Sequence, residues 1–415
     1  DQYVTGIAAS QFECKNNLVT WKISSLYASF KGTLSANGKT LSGTFTQRGT
    51  SMPLTMTKGG ERLVINRPQE PKPPYPYTEQ EIRLWDKNHR YYLINGTLTI
   101  PVQPATALVI LITGSGWQDR DETIFGHKPF KVIADNLTRE GYAVFRYDDF
   151  PPAIMQQSTT LDFKDGVLQI LDTLRKRPEF QNIPTGLLGH SEGSLVAFIA
   201  AAEDPRVNFV ISLSGVGQPM KDVLLYQIAA IQSAKFEVDS TKYEVQGTKE
   251  NVQGAKEEIQ KSVEISGMLY DAVIKSKTPE KAKEAYSKCW DKYTAKMSEE
   301  TKQKLKLTNE DKIATMNELC SPWFFTILHL TPKDYLKNIS CPVLAIGGTK
   351  DLQVEAKANL ELMQKYLQPN PLNQFITVNS ANHLLQICNS GHPSEYGKIE
   401  QTIAPEVLND IDVWM

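Results

Sequence analysis

The chain has 415 residues, 40% hydrophobic and 22% charged, with 45 Lys and Arg against 47 Asp and Glu. A net charge of −2 excludes the broad cationic footprint of a nucleic-acid-binding protein, and the length exceeds one ordinary core, so two or three domains are expected. No apolar run approaches the roughly 20 residues of a membrane-spanning helix.

Residues 1–67 read as a small β-domain. Leu18 to Ile23 alternates apolar and polar side chains, as a half-buried strand does. Leu26 to Phe30 and Leu41 to Phe45 follow, separated by Asn37-Gly38, which supplies the positive φ angles of a hairpin turn. Leu54 to Thr57 and Leu63 to Ile65 complete a run of short antiparallel strands. The proline-rich stretch after it, 68–80, reads as an interdomain linker.

From there strands alternate with helical stretches, which implies a mainly parallel sheet flanked by helices. Leu108 to Ile112 is a continuous apolar strand, and Phe130 to Glu140 an amphipathic helix ended by Gly141. Ala143 to Tyr147 is the next strand, Asp162 to Arg175 a helix, and Gly186 to Leu188 and Val207 to Leu213 two further strands. Residues 217–335 are helical and rich in Lys and Glu. There Ile265, Met268, Leu269, Ala272 and Val273 repeat on one helix face. Such an insertion is expected to cap the carboxyl ends of the strands, where sheets of this kind bind ligands. Cys341 to Ile346 and Gln374 to Val378 close the sheet, so the catalytic domain comprises 81–216 and 336–415.

The chemistry centres on Gly189-His190-Ser191-Glu192-Gly193, a G-x-S-x-G element between an apolar strand and an Ala-rich helix. That strand–turn–helix setting is what a nucleophile elbow requires, although the pentapeptide alone is weak evidence. A serine hydroxyl needs a base to become a nucleophile. His383 follows the strand ending at Val378, and Asp351 follows the strand ending at Ile346. The order Ser, Asp, His, each just past a strand, predicts Ser191 as nucleophile, His383 as base and Asp351 as the acid that orients it. Developing oxyanion charge needs N–H donors. Ser115, with Gly116 next, is expected to supply one from the loop after Leu108 to Ile112, and Glu192 the other. Asp119, Arg120, Asp121 and Glu122 read as a structural charge network beside the site. Trp117, Trp323, Phe324 and Phe325 are candidates to line an apolar acyl pocket, although aromatic residues are more often core.

Neither a metal site nor a disulfide framework is indicated, and one or two isolated bridges stay open. The six His do not cluster at ligand spacings, and Cys14, Cys289, Cys320, Cys341 and Cys388 are scattered.

The segments TGSGWQDRDE (113–122), GHSEGS (189–194), GTKDLQV (348–354), ANHLLQ (381–386) and 395–415, with 32–59 in the β-domain, resemble bacterial α/β-hydrolase esterases bearing an N-terminal β-domain. That group is related to the prolyl oligopeptidase and serine aminopeptidase clan. The resemblance implies an α/β-hydrolase fold, carboxylesterase activity on short acyl esters, no cofactor, a small-molecule substrate and export to the periplasm or medium. Three departures stand out. Ser194 replaces a glycine of the elbow, Phe150-Pro151-Pro152-Ala153-Ile154 replaces a glycine-containing loop, and DQYVTGIAAS resembles the middle of the β-domain. The last implies that the first strands were removed, just as the start at Asp1 implies a removed leader or a trimmed chain. Two alternatives stay open: a peptidase whose substrate amine meets Glu192 or an acidic cap residue, and a non-catalytic binding protein on the same fold.

Overall fold

A computed structural model of the chain describes residues 9–23, 28–47, 50–59, 66–85, 93–242 and 249–415. They form two compact units, 1–66 and 67–415. The smaller is a five-stranded antiparallel meander of β1 (Gln11–Lys15), β2 (Leu18–Ile23), β3 (Ala28–Leu34), β4 (Thr40–Gln47) and β5 (Thr50–Thr57). Period-two alternation puts Val19, Ala28 and Phe30 in its core. On one face Trp21 pairs with Phe30 and stacks on it at 5.6 Å between ring centroids. Gly38, at φ +65°, turns the chain from β3 to β4, and the Asn37 side chain accepts hydrogen bonds from Ser35 Oγ and the Lys39 N–H. The expected strand at Leu63–Ile65 and the start of the one at Leu26–Phe30 lie outside the described residues.

The larger unit is built on eight strands: β6 (Thr78–Trp85), β7 (Leu93–Ile100), β8 (Leu108–Ile112), β9 (Ala143–Tyr147), β10 (Thr185–His190), β11 (Phe209–Leu213), β12 (Val343–Gly348) and β13 (Gln374–Val378). Their order is β13-β12-β11-β10-β8-β9-β7-β6, parallel from β13 through β9, with β7 antiparallel to both β9 and β6. The chain runs outward from β8 to β9, then returns across the sheet to β10. The loops after β8 and β10 therefore flank the point where the winding reverses, the usual ligand site of such sheets.

The helices on the sheet are α1 (Pro129–Arg139), α2 (Pro152–Met155), α3 (Thr160–Leu174) and α4 (Glu192–Glu203). Between β11 and β12 come α5 (Met220–Lys242), α6 (Lys249–Ile274), α7 (Pro279–Thr294), α8 (Glu299–Lys304), α9 (Asn309–Leu319), α10 (Pro322–His329) and α11 (Pro332–Leu336). After β12 come α12 (Ala356–Tyr366), α13 (Pro393–Tyr396) and α14 (Pro405–Trp414). β8 shows why the sheet must be covered on both faces. Its Leu108, Ile110 and Ile112 pack with Val167 and Ile170 of α3 and Val196 of α4, whereas Val109 and Leu111 pack with Ile133 of α1 and Val407 of α14. A strand apolar at every position has no solvent face. α3 starts at a capping box in which the Thr159 and Asp162 side chains satisfy each other's main-chain N–H groups.

The helical insertion has its own core. Ile265, Leu269 and Val273 of α6 bury against Tyr286 and Trp290 of α7, with Met268 and Ala272 half-buried at the edge of that face. Leu336, at the end of α11, packs instead into the core of the sheet. Residues 68–80, read as a linker, are hydrogen-bonded into the larger unit. Gln69 Oε1 accepts from the N–H groups of Thr402 and Ile403, its Nε2 donates to the Ile403 carbonyl, and Thr78 to Gln80 already belong to β6. All five cysteines are free thiols.

Candidate active site

β10 ends at His190, and α4 begins at Glu192, leaving Ser191 alone at the turn with φ +54° and ψ −120°. A side chain in that backbone conformation is strained, and the strain persists only where the surroundings impose it. Here two glycines do so. A Cβ on Gly189 would lie 2.2 Å from the Gly193 carbonyl oxygen, and one on Gly193 would lie 2.1 Å from the Ile112 oxygen. Only hydrogen fits at either position, so the turn can close no other way. Ser194, which replaces a glycine, is fully buried, and its Oγ donates to the Gly189 carbonyl at 2.7 Å. Room for its side chain comes from Gly215, where a Cβ would lie 2.6 Å from that of Ser194.

Ser191, His383 and Asp351 come together although 192 and 32 residues separate them in pairs. His383 Nε2 is 3.1 Å from Ser191 Oγ, and His383 Nδ1 is 2.8 Å from Asp351 Oδ2. Asp351 is 1% exposed, and its Oδ1 accepts from the N–H groups of Gln353 and Val354, each at 2.8 Å. A buried carboxylate with two main-chain donors is held in place. Tyr226, on α5, donates to the Asp351 carbonyl at 2.8 Å, tying the insertion to this loop. Gly348, where a Cβ would lie 2.2 Å from the Ala381 oxygen, lets the loops after β12 and β13 approach each other closely.

The loop after β8 divides its charged residues among separate tasks. Asp119 caps its own turn through the N–H groups of Asp121 and Thr123. Arg120 forks onto Asp148, with bonds of 3.1 and 2.7 Å, and reaches Glu81. Asp121 pairs with the buried Arg146. Glu122, expected to belong with them, instead points at the elbow. It is 2% exposed, and its Oε1 accepts from the Gly114 N–H at 2.8 Å and lies 2.9 Å from His190 Nδ1. Burial alone would depress the His190 imidazole, but the Glu122 carboxylate outweighs it and lifts the group to about 8.

The Gly114 N–H is thus committed. Ser115 and Gly116 are exposed beside it, and the N–H of Glu192 opens α4, where a helix presents donors to anionic charge. The Glu192 side chain turns away into the protein. Its Oε1 accepts from Thr160 Oγ1 at 2.7 Å and from the Trp323 indole at 2.8 Å, while Oε2 is buried without a bond of ordinary geometry. Burial raises its pKa, and donation from Thr160, Trp323 and Ser115 only partly offsets this.

The aromatic candidates separate. Trp117 is 53% exposed, Trp323 is half-buried on Glu192, and Phe324 packs in the core of the insertion against Tyr270, with Phe325 half-buried at its edge. None of them lines the cavity next to the elbow. That cavity is bounded by Thr113, Gly114 and Glu192 together with Tyr147, Asp149, Phe150, Met155 and Phe163. Its volume of about 20 Å³ holds little more than one water. The segment replacing the glycine-containing loop therefore supplies the wall: Phe150 is buried there, and Met155 ends the short helix α2. Asp149 accepts from Thr113 Oγ1 and the Gln118 N–H, each at 2.8 Å. Burial first, then the Glu122 and Glu192 carboxylates, push it up to about 7. Glu122, His190 and Asp149 were legible only as motif neighbours, because nothing in the order of residues says which side chains turn inward. Among the described residues no group of three or more His, Cys, Asp or Glu is arranged to hold a metal ion, and no helix is long and apolar enough to cross a membrane.

The chain is similar to several known hydrolases. Residues 163–313 match the family described as BAAT / Acyl-CoA thioester hydrolase C terminal. Esterase EstD of Thermotoga maritima is 31% identical over 143 residues, which cover 33% of this chain and 34% of that protein. The chain thus matches about a third of the length of that curated relative. Among solved structures, a dienelactone hydrolase from Anabaena variabilis is 16% identical, with a TM-score of 0.43 over 82% of this chain and 97% of that one. A Pyrococcus furiosus esterase is 14% identical, with a TM-score of 0.43 over 86% and 99%. The strand order and the glycine-enforced elbow are those of an α/β-hydrolase fold, and parts of the sequence are similar to an esterase and to acyl thioester hydrolases.

Proposed function

We propose that the protein is a serine hydrolase that cleaves short-acyl carboxylic esters through an acyl-enzyme on Ser191. The observation that carries this reading is the hydrogen-bonded line from Asp351 through His383 to Ser191. Neutral His383 takes the serine proton as Oγ attacks the ester carbonyl, and Asp351 holds the tautomer and stabilises the imidazolium. The proton then passes to the departing alkoxide. A water activated by His383 cleaves the acyl-enzyme and restores the serine. The N–H groups of Glu192 and of Ser115, with Gly116 beside it, are the assigned oxyanion donors. The small cavity beside Glu192 favours a short acyl group, because a chain of several methylenes exceeds its volume. In this reading the insertion carrying Tyr226 and Trp323 acts as the cap.

A thioester substrate is the second reading, favoured by the family match over 163–313; the same triad serves, with a thiolate as leaving group. One of the two amine anchors of the peptidase alternative, Glu192, is buried and bonded to Thr160 and Trp323, which leaves that reading an acidic residue of the insertion. Assay of wild type and Ser191→Ala on p-nitrophenyl esters of graded chain length, acyl-CoA thioesters and aminoacyl anilides decides among them. Turnover of short esters, abolished by the substitution, is the expected result; turnover that persists in Ser191→Ala sinks the mechanism. A periplasmic or extracellular location rests on family resemblance alone, and fractionation of the native host tests it.

A further inference from the structure

Both ring nitrogens of His190 face acceptors. Nδ1 lies 2.9 Å from Glu122 Oε1, and Nε2 lies 3.0 Å from the main-chain oxygen of His383. A peptide oxygen only accepts, so Nε2 must carry a hydrogen for that contact to be a bond. The Nδ1 contact then needs a second proton, shared between the imidazole and the carboxyl group. Without it two lone pairs would face each other in a buried site. The same Glu122 oxygen also receives the Gly114 N–H. Three loops, those after β8, β10 and β13, thus converge on one proton-sharing pair. Glu122 is held there at φ +51°, a conformation that a glutamate adopts only where its surroundings compel it.

We propose that Glu122 and His190 form a positioning pair, a buried proton-sharing bridge that registers the oxyanion loop and the loop of the base against Ser191. The inference rests on the serine-hydrolase reading above, since positioning has meaning only for that reaction. Neither residue reaches the reacting atoms. His190 acts through the His383 main chain, and Glu122 acts through Gly114, whose Cα neighbourhood lies against Ser191: a Cβ there would be 3.3 Å from that of the serine. Errors of a few tenths of an ångström at either loop alter the approach of base and donors to the attacked carbonyl, where rate is most sensitive to geometry.

The groups facing His190 come from three loops: Glu122 after β8, Asp351 after β12 and the His383 ring after β13, whose centroid is 4.9 Å away. Burial disfavours the charge, the Glu122 carboxylate more than restores it, and Asp351 adds to it, so the proton stays through neutral pH and leaves near pH 8. Base and oxyanion loop lose their common anchor together at that point.

The test is ring ¹⁵N NMR of histidine-labelled protein, with His190 assigned by its absence from His190→Asn, alongside pH–rate profiles of wild type and Glu122→Gln. In wild type both His190 nitrogens are expected to carry hydrogen at pH 7. In Glu122→Gln the ring titrates at least about one pH unit lower, and the alkaline limb of kcat moves with it. That makes the variant about fivefold slower than wild type at pH 8 and nearly equal at pH 6, with KM unchanged. A His190 ring carrying a single hydrogen in wild type at pH 7 overturns the proposal, and so do coincident alkaline limbs. The ring titration needs no substrate. A wild type inert on every ester therefore sinks the hydrolase reading alone, and a Glu122→Gln that does not fold leaves the wild-type ring to decide.

Discussion

The indole N–H of Trp323 on α10 donates to Glu192 Oε1 at 2.8 Å, so the residue beside Ser191 is hydrogen-bonded to the helical insertion. With Tyr226 on the Asp351 carbonyl, the insertion is bonded at both ends of the line from Asp351 through His383 to Ser191. Trp323→Phe keeps an aromatic ring, though a smaller one, and removes one donor from a buried carboxylate whose other oxygen has no bond of ordinary geometry. The loss is expected to cost about 1–2 kcal/mol in stability and to lower kcat/KM on short esters several-fold. Urea unfolding and steady-state kinetics measure the two; an unchanged kcat/KM would detach the insertion from the chemistry.

Asp351→Asn should leave the fold intact, because Oδ1 still accepts from Gln353 and Val354. The amide nitrogen then faces His383 Nδ1 and forces the other tautomer, which points a hydrogen at Ser191. Expected is a fall in kcat of roughly 10³–10⁴ with KM little changed, read by single-turnover assay. Equal falls in Asp351→Asn and an unfolded control would remove the orienting role.

Gly193→Ala places a methyl group 2.1 Å from the Ile112 oxygen, against backbone that has no rotamer to yield. The expected cost is about 3 kcal/mol or more, seen as loss of soluble protein or a large drop in melting temperature. A soluble variant with wild-type melting would show that the elbow closes differently.

Ser194→Gly restores the usual residue, yet it is expected to destabilise. It removes the donor to the buried Gly189 carbonyl and puts glycine in the first turn of α4. Together these amount to about 1–2 kcal/mol. Chemical denaturation checks the sign, and a gain in stability would refute the account of Gly215 as the compensating position.

The His190 proton also makes stability depend on pH. Its folded value, about 8, lies above the ordinary 6.5. The contribution is therefore complete below about pH 6.5 and fades as pH rises through 8, for a total on the order of 2 kcal/mol. The difference in unfolding free energy between wild type and Glu122→Gln should shrink over that window. A difference that stays constant from pH 6 to 9 would mean that His190 does not titrate there.

The sheet was readable wherever a strand is apolar throughout, as at Leu108 to Ile112, because only burial on both faces tolerates such a run. β6 escaped notice, since Thr78 to Trp85 is mostly exposed edge strand with polar side chains at most positions. The convergence of Ser191, His383 and Asp351 was legible because these three residue types follow strands in a fixed order. The pocket was not: Trp323 and Phe324 are neighbours in sequence, but helix α10 turns one toward Glu192 and the other into the insertion core. Which way a side chain faces on a short helix depends on what packs against it, and residues far along the chain decide that. Glu122 was hidden for a related reason. Four charged residues in a row look alike until the +51° kink turns the last of them back on the elbow.

The two glycine contacts that close the elbow involve positions 189 and 193 and the Ile112 carbonyl, never the side chain of Ser191. The shape of the turn and the identity of the atom it displays are therefore separable properties. A chain built this way can keep its architecture while the reacting group changes, because folding selects at the two flanking glycines and chemistry selects at the residue between them.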